Sequence, residues 1–234
     1  MGKTERSANR AGVSRKFLRL FVLALLAAPT RLYAYEVPLA PSALHDAWVL
    51  GQRNDQATAE FLTPYSKQIT EAAPGATPHI TEMEVLTPFA QVVDESQQKP
   101  GGYTEQQAAQ AYRHRGDTVV VRVRLMLPSA YPEAERGAQA PPASHGQNGA
   151  LRPENFWQRF QFAVKQHGKV IATRAIHNKP VYSAATKASP STLDGQTVWL
   201  EYDAKTVTSD EITVEVTTPD GKTTSTLFDL NKLR

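Results

Sequence analysis

The sequence predicts an α+β protein that is mainly β: an antiparallel, Ig-like β-sandwich decorated by short N-terminal helices. Three observations predict it. Six or seven short segments alternate apolar and polar residues with the period of two that turns one face of a strand toward a core. Turn signals separate them, clearest at His167-Gly168 and at Pro219-Asp220-Gly221-Lys222, where Pro sets φ and Gly supplies φ > 0. Segments with helix-capping residues cluster toward the N-terminal side. The chain has no cysteine, so it lacks the Cys–Trp–Cys framework of a true immunoglobulin domain.

In chain order, Ser42 to Gly51 reads as a helix, with Ser42 as N-cap, Leu44, Ala47 and Trp48 on one face, and Gly51 as the left-handed stop. Asp55 caps a second helix through Leu62, which Pro64 ends. Ala72 to Pro78 is a connector. Met83, Val85 and Phe89 alternate with Glu82, Glu84 and Pro88, which predicts an edge or bulged strand, since Pro cannot donate to a ladder. Ser96 to Gly102 reads as a polar loop. Thr104 and Gln107 form a capping box for a helix to Arg115, ended by Gly116.

Thr118 to Leu127 is the strongest strand. Val119, Val121, Val123, Leu125 and Leu127 line one face; Thr118, Val120, Arg122, Arg124 and Met126 line the other. Residues 128–150 hold four Pro and three Gly without apolar periodicity, which predicts a mobile insertion. Phe160 to Gln166 and Lys169 to Thr173 form a hairpin over His167-Gly168. Residues 183–196 read as a Ser/Ala/Thr-rich loop. Val198, Leu200 and Tyr202 alternate, as do Ile212, Val214 and Val216, and Thr223 to Leu230 is the last strand.

The first 34 residues predict export. A basic leader (Lys3, Arg6, Arg10, Arg15, Lys16, Arg19) precedes the apolar run Leu20 to Ala28, then Pro29 and a candidate cleavage site after Ala34. The run is too short to span a bilayer, which takes about 20 residues. Ser14 to Arg19 only faintly resembles a twin-arginine signal, so the general secretory route is expected. No cysteine follows for a lipid anchor. Seven of the 26 Lys and Arg, but one of the 23 Asp and Glu, lie in this leader, so the rest of the chain carries a net charge of −3. The basic balance that would suggest nucleic acid therefore belongs to the leader. The chain divides into a signal at 1–34, a helical hairpin and connector at 35–78, and one β-rich domain at 79–234.

Ala47-Trp48-Val49-Leu50-Gly51-Gln52-Arg53, Leu86-Thr87-Pro88-Phe89-Ala90-Gln91-Val92-Val93, Arg152-Pro153-Glu154-Asn155-Phe156-Trp157 and Phe228-Asp229-Leu230 span nearly all of the chain after the leader. In these stretches the chain resembles a family of exported bacterial proteins, mainly of soil acidobacteria, with no assigned activity or catalytic residues. The resemblance implies export and a single unit.

The search for chemistry is mostly negative. Among His45, His79, His114, His145, His167 and His177, no two are spaced as local metal ligands. Ser96-Gln97-Gln98-Lys99 matches S-x-x-K, but S-D-N and K-T-G are missing, as are G-x-S-x-G and any phosphate loop at Gly101-Gly102. Asp203, Asp210 and Glu211 lack a calcium-loop pattern. Glu82 and Glu84 share one strand face about 7 Å apart. Such a pair could run glycoside hydrolysis, and it reads more simply as a wet face. Arg122 and Arg124, with Arg113 and Arg115 before them, suggest an anion patch or a solvated face. Phe156, Trp157, Phe160 and Phe162 suggest core, with a sugar-stacking platform as the alternative.

No catalytic, cofactor or metal residues are assigned. The sequence leads to a soluble exported protein, periplasmic or extracellular and without a stable membrane anchor once the signal is cleaved. It would act as a non-catalytic interaction module for a cell-envelope protein or glycan and not for nucleic acid. The alternative is a secreted hydrolase of polysaccharide or peptidoglycan.

Overall fold

In a computed structural model, residues 35–70, 77–128, 155–182, 184, 193–208 and 210–234 are described. The expected signal at 1–34, most of the Ala72–Pro78 connector, and the expected insertion beyond Pro128 lie outside them. The strands are β1 (Ser66–Gln68), β2 (His79–Leu86), β3 (Thr118–Met126), β4 (Gln161–Gln166), β5 (Lys169–Val170), β6 (Ala175–Tyr182), β7 (Leu193–Asp203), β8 (Glu211–Thr217) and β9 (Thr223–Asp229). The helices are α1 (Pro41–Arg53), α2 (Gln56–Leu62), α3 (Pro88–Gln98) and α4 (Glu105–Arg115).

The strongest strand of the sequence is the central one. Val119, Val121, Val123 and Leu125 of β3 are fully buried, and burial of each contributes about 1.5–3 kcal/mol. β3 sits in the middle of a five-stranded sheet ordered β1-β2-β3-β7-β6, and a second sheet runs β5-β4-β8-β9. Every pairing is antiparallel. The chain passes from the first sheet to the second and back before ending in the second. One apolar core joins them: Met83 and Val85 (β2), Val198 and Leu200 (β7), Val164 (β4), Val214 (β8) and Phe228 (β9). The fold is thus α+β with two antiparallel sheets packed as a sandwich.

A second core lies among the helices. Ala43, Leu44 and Ala47 of α1 meet Phe89, Val92 and Val93 of α3 and Ala108 and Tyr112 of α4. Phe61 and Leu62 of α2 pack against both cores. Residues 35–78 and 79–234 therefore share one compact unit. Among the described residues, no helix is long and apolar enough to cross a membrane.

The Asp55 cap, the Thr104–Gln107 capping box and the His167-Gly168 turn stand as the sequence predicts. Other expectations are corrected. The first helix starts at Pro41 after Ala40, not at a Ser42 cap, because Pro suits the first helical position. Its left-handed end is Asn54 (φ 45°), while Gly51 lies inside the helix and is buried. Pro88 does not prolong a strand. Thr87 accepts a hydrogen bond from Ala90 N at 3.3 Å, and Pro88 opens α3. Phe89, Val92, Val93 and Ser96 then share a helical face, so the polar loop shrinks to the few residues after Gln98. Residues 193–196 belong to β7, not to a loop. Strand β6 escaped the alternation test because it is a largely exposed edge, and β1 because it has three residues.

Candidate functional site

Inward placement of Met83, Val85, Val121, Val123, Val198 and Leu200 forces their strand neighbours outward. Cross-strand register then aligns these outward residues in two rows. One runs Ser66–Glu84–Arg122–Trp199–His177, the other Gln68–Glu82–Arg124–Thr197–Lys179. Helix α3 covers one end of this outer face, where Gln91 Nε2 donates to the carbonyls of Leu86 at 3.0 Å and Thr118 at 2.6 Å. Thr118 and Val120 are buried beneath it, whereas Arg124 is exposed. The uncovered part is a groove of about 500 Å³ lined by both rows, with Gln98 of α3 on one wall.

The rows cross-link the sheet. Arg122 Nε donates to Glu84 Oε2 at 2.5 Å and Nη1 to Asp94 Oδ2 of α3 at 2.9 Å. The three side chains are 17%, 19% and 18% exposed. Burial pushes the Glu84 carboxyl above the usual range, Arg122 only partly offsetting it, with Glu82 and Asp94 adding to the rise. Burial opposes the charge of Arg122, but Asp94 and Glu84 outweigh it and raise its proton affinity. The two directions agree physically: one guanidinium serves two carboxylates, so it gains from both while Glu84 competes with Asp94. Glu82 accepts from Ser66 Oγ at 2.6 Å and Gln68 Nε2 at 2.7 Å, and lies 3.5 Å from Arg124 Nη1.

These contacts define what the carboxylates can do. Glu82 and Glu84 stand side by side on one strand, not on opposite walls where two acids would flank a scissile glycosidic bond. Glu84 is tied to Arg122, and Glu82 to Ser66 and Gln68. The S-x-x-K serine is buried in α3 against Gly51, and Lys99 pairs with Glu95 at 2.6 Å. Arg115 pairs with Glu95 at 3.2 Å and Arg122 with Glu84 and Asp94, so these two arginines are spent on separate acids. Phe156 and Phe160 are buried core in edge contact 6.3 Å apart, and Phe162 and Trp157 pack against the core. His45, His167 and His177 each face one carboxylate, those of Glu105, Asp210 and Glu201. His145 lies outside the described residues. Among those described, no group of three or more His, Asp or Glu could hold a metal.

Sequence reading missed Trp199, Thr197, Lys179 and Asp94 at this site. A signal for Trp199 was available: an aromatic between inward Val198 and Leu200 must face outward. Lys179 gave none, because the exposed edge strand that carries it shows no apolar alternation.

No protein family, curated protein or solved structure matches the chain. The class is accordingly set by fold and site: a two-sheet α+β sandwich with a polar groove on the outer face of its larger sheet.

Proposed function

We propose that the protein is an exported, soluble, non-catalytic interaction module of the bacterial envelope or extracellular space, Ig-like in general architecture, with the outer sheet face as its binding surface. The basic leader and short apolar run support export, as does the resemblance to an exported acidobacterial family. The observation that carries the reading is the state of the carboxylates. Both are committed to neighbours that hold the sheet together, and the groove they line is wide and polar. Combined Glu82→Gln and Glu84→Gln substitution should leave binding to isolated cell envelope unchanged within about twofold. Sequencing the exported protein should find an N-terminus near Tyr35; a chain retained with its leader would count against export.

A second reading, a secreted hydrolase of polysaccharide or peptidoglycan, draws on the raised proton affinity of Glu84, the property of a general acid. Incubation with purified peptidoglycan and soluble polysaccharides decides between them. Release of reducing ends that Glu84→Gln abolishes would establish the hydrolase and end the module reading.

A further inference from the structure

We propose that the groove binds a carboxylated sugar chain, a polyuronate-like acidic glycan; this rests on the reading of the outer sheet face as the binding surface. The groove is chemically polarised. At one end the negative groups of Glu84 and Asp94 are spent on Arg122. At the other, Arg124, Thr197 and Lys179 lie in one row on three neighbouring strands. Arg124 is 52% exposed, and its ion pair with Glu82 is long, at 3.5 Å. Lys179 makes no ion pair among the described residues, and the Thr197 hydroxyl makes no hydrogen bond there. Neighbouring strands lie about 4.8 Å apart, so the Cα atoms of Arg124 and Lys179 are about 10 Å from each other with Thr197 between them. Both side chains are long and exposed, so they can converge on a carboxylate held above Thr197, which then accepts from both cations and from the hydroxyl.

Trp199 supplies the other half. It is two residues from Thr197 on β7, hence about 7 Å along the same face. It is half-buried in the groove floor, and its indole N–H has no partner among the described residues. An aromatic face beside polar groups accommodates the C–H face of a sugar ring and offers one donor to its hydroxyls. A carboxylate at the Arg124–Lys179 end and a ring face on Trp199 describe a uronic acid residue better than a neutral sugar, which would leave Lys179 without an ion pair. The groove volume suits a ligand of that size.

The test is calorimetric titration of the full chain with oligogalacturonates and, in parallel, neutral oligoglucosides. Saturable binding of the acidic series, weakened by added salt, is expected, with neutral chains at least about tenfold weaker. Lys179→Gln, at an unchanged melting temperature, and Trp199→Ala should each lower affinity about tenfold or more. Lys179→Arg should restore most of the loss, and Trp199→Phe serves if the alanine variant does not fold. Equal binding of neutral chains, or binding indifferent to Lys179 and Trp199, overturns the acidic-glycan assignment. No glycan binding by a chain that still captures an envelope protein through this face overturns it too, while leaving the module reading intact. Cleavage of the oligosaccharide overturns the non-catalytic reading instead.

Discussion

Gly51 shows one hydrogen atom deciding where two helices meet. A Cβ there would lie 2.5 Å from Ser96 Cβ and closer still to the Val93 carbonyl, so α1 and α3 touch backbone to backbone. Gly51→Ala should raise intrinsic helix propensity by about 1 kcal/mol yet destabilise the protein by about 1–3 kcal/mol through overpacking. The denaturant midpoint reads the net loss. Arg122 is the electrostatic counterpart. Arg122→Ala strands two shielded carboxylates, and about 3 kcal/mol of stability should be lost near neutral pH, with less lost in acid as Glu84 protonates. Glu84 carries a distinct pH signature. Its folded-state proton affinity lies above the ordinary value of 4.5, chiefly through burial. Its favourable contribution is therefore complete below 4.5 and is lost as pH rises through the folded-state value. Against Glu84→Gln, which cannot ionise, the parent chain should become relatively less stable from pH 4.5 toward neutrality. Urea melts of the pair across that range measure the sign.

Helix α3 decides most at the level of elements. It covers one end of the sheet, supplies Asp94 to Arg122, and bounds the groove with Gln98. Its start was legible in Thr87-Pro88, a cap residue followed by the residue best suited to the first helical position. The alternation of Met83, Val85 and Phe89 pointed to a strand instead, because residues 83–89 are too few to separate the two periods once Phe89 happens to fall in phase. Thr87 both caps α3 and donates to the Arg234 carbonyl. Thr87→Ala should cost about 2 kcal/mol, seen as a lower melting temperature and earlier loss of helical circular dichroism. Strands β2, β3, β7 and β8 were read from apolar alternation and β4, β5 and β9 from the turns beside them, whereas the edge strands β1 and β6 were missed for lack of such a pattern. Edge strands bury little, so their sequences carry little pattern.

Across the whole molecule, residues 230–234 tie helices to sandwich. Leu230 and Leu233 are buried in the inter-sheet core. Arg234 N donates to Tyr65 Oη at 2.9 Å, and its carbonyl accepts from the same hydroxyl at 3.0 Å. Its guanidinium lies 4.2 Å from the centre of the Phe89 ring and 3.4 Å from Asp46 of α1. Truncation after Asp229 should cost at least about 4 kcal/mol from the two leucines alone. It should also separate the loss of helix signal from the loss of sheet signal, which coincide in a two-state chain.

By itself the sequence determined the central strand β3, the capped helices at Asp55 and Thr104, the His167-Gly168 turn, and the lack of a complete local metal or nucleophile motif. Those properties are local: periodicity, caps and turns act within a few residues. Only the tertiary structure decided that Glu82 and Glu84 meet Arg124 and Arg122, that Asp94 arrives from a helix, and that Trp199 and Lys179 complete a groove. Register between strands distant in sequence sets those meetings, and it depends on how both sheets and α3 bury their apolar faces together, which no single segment encodes.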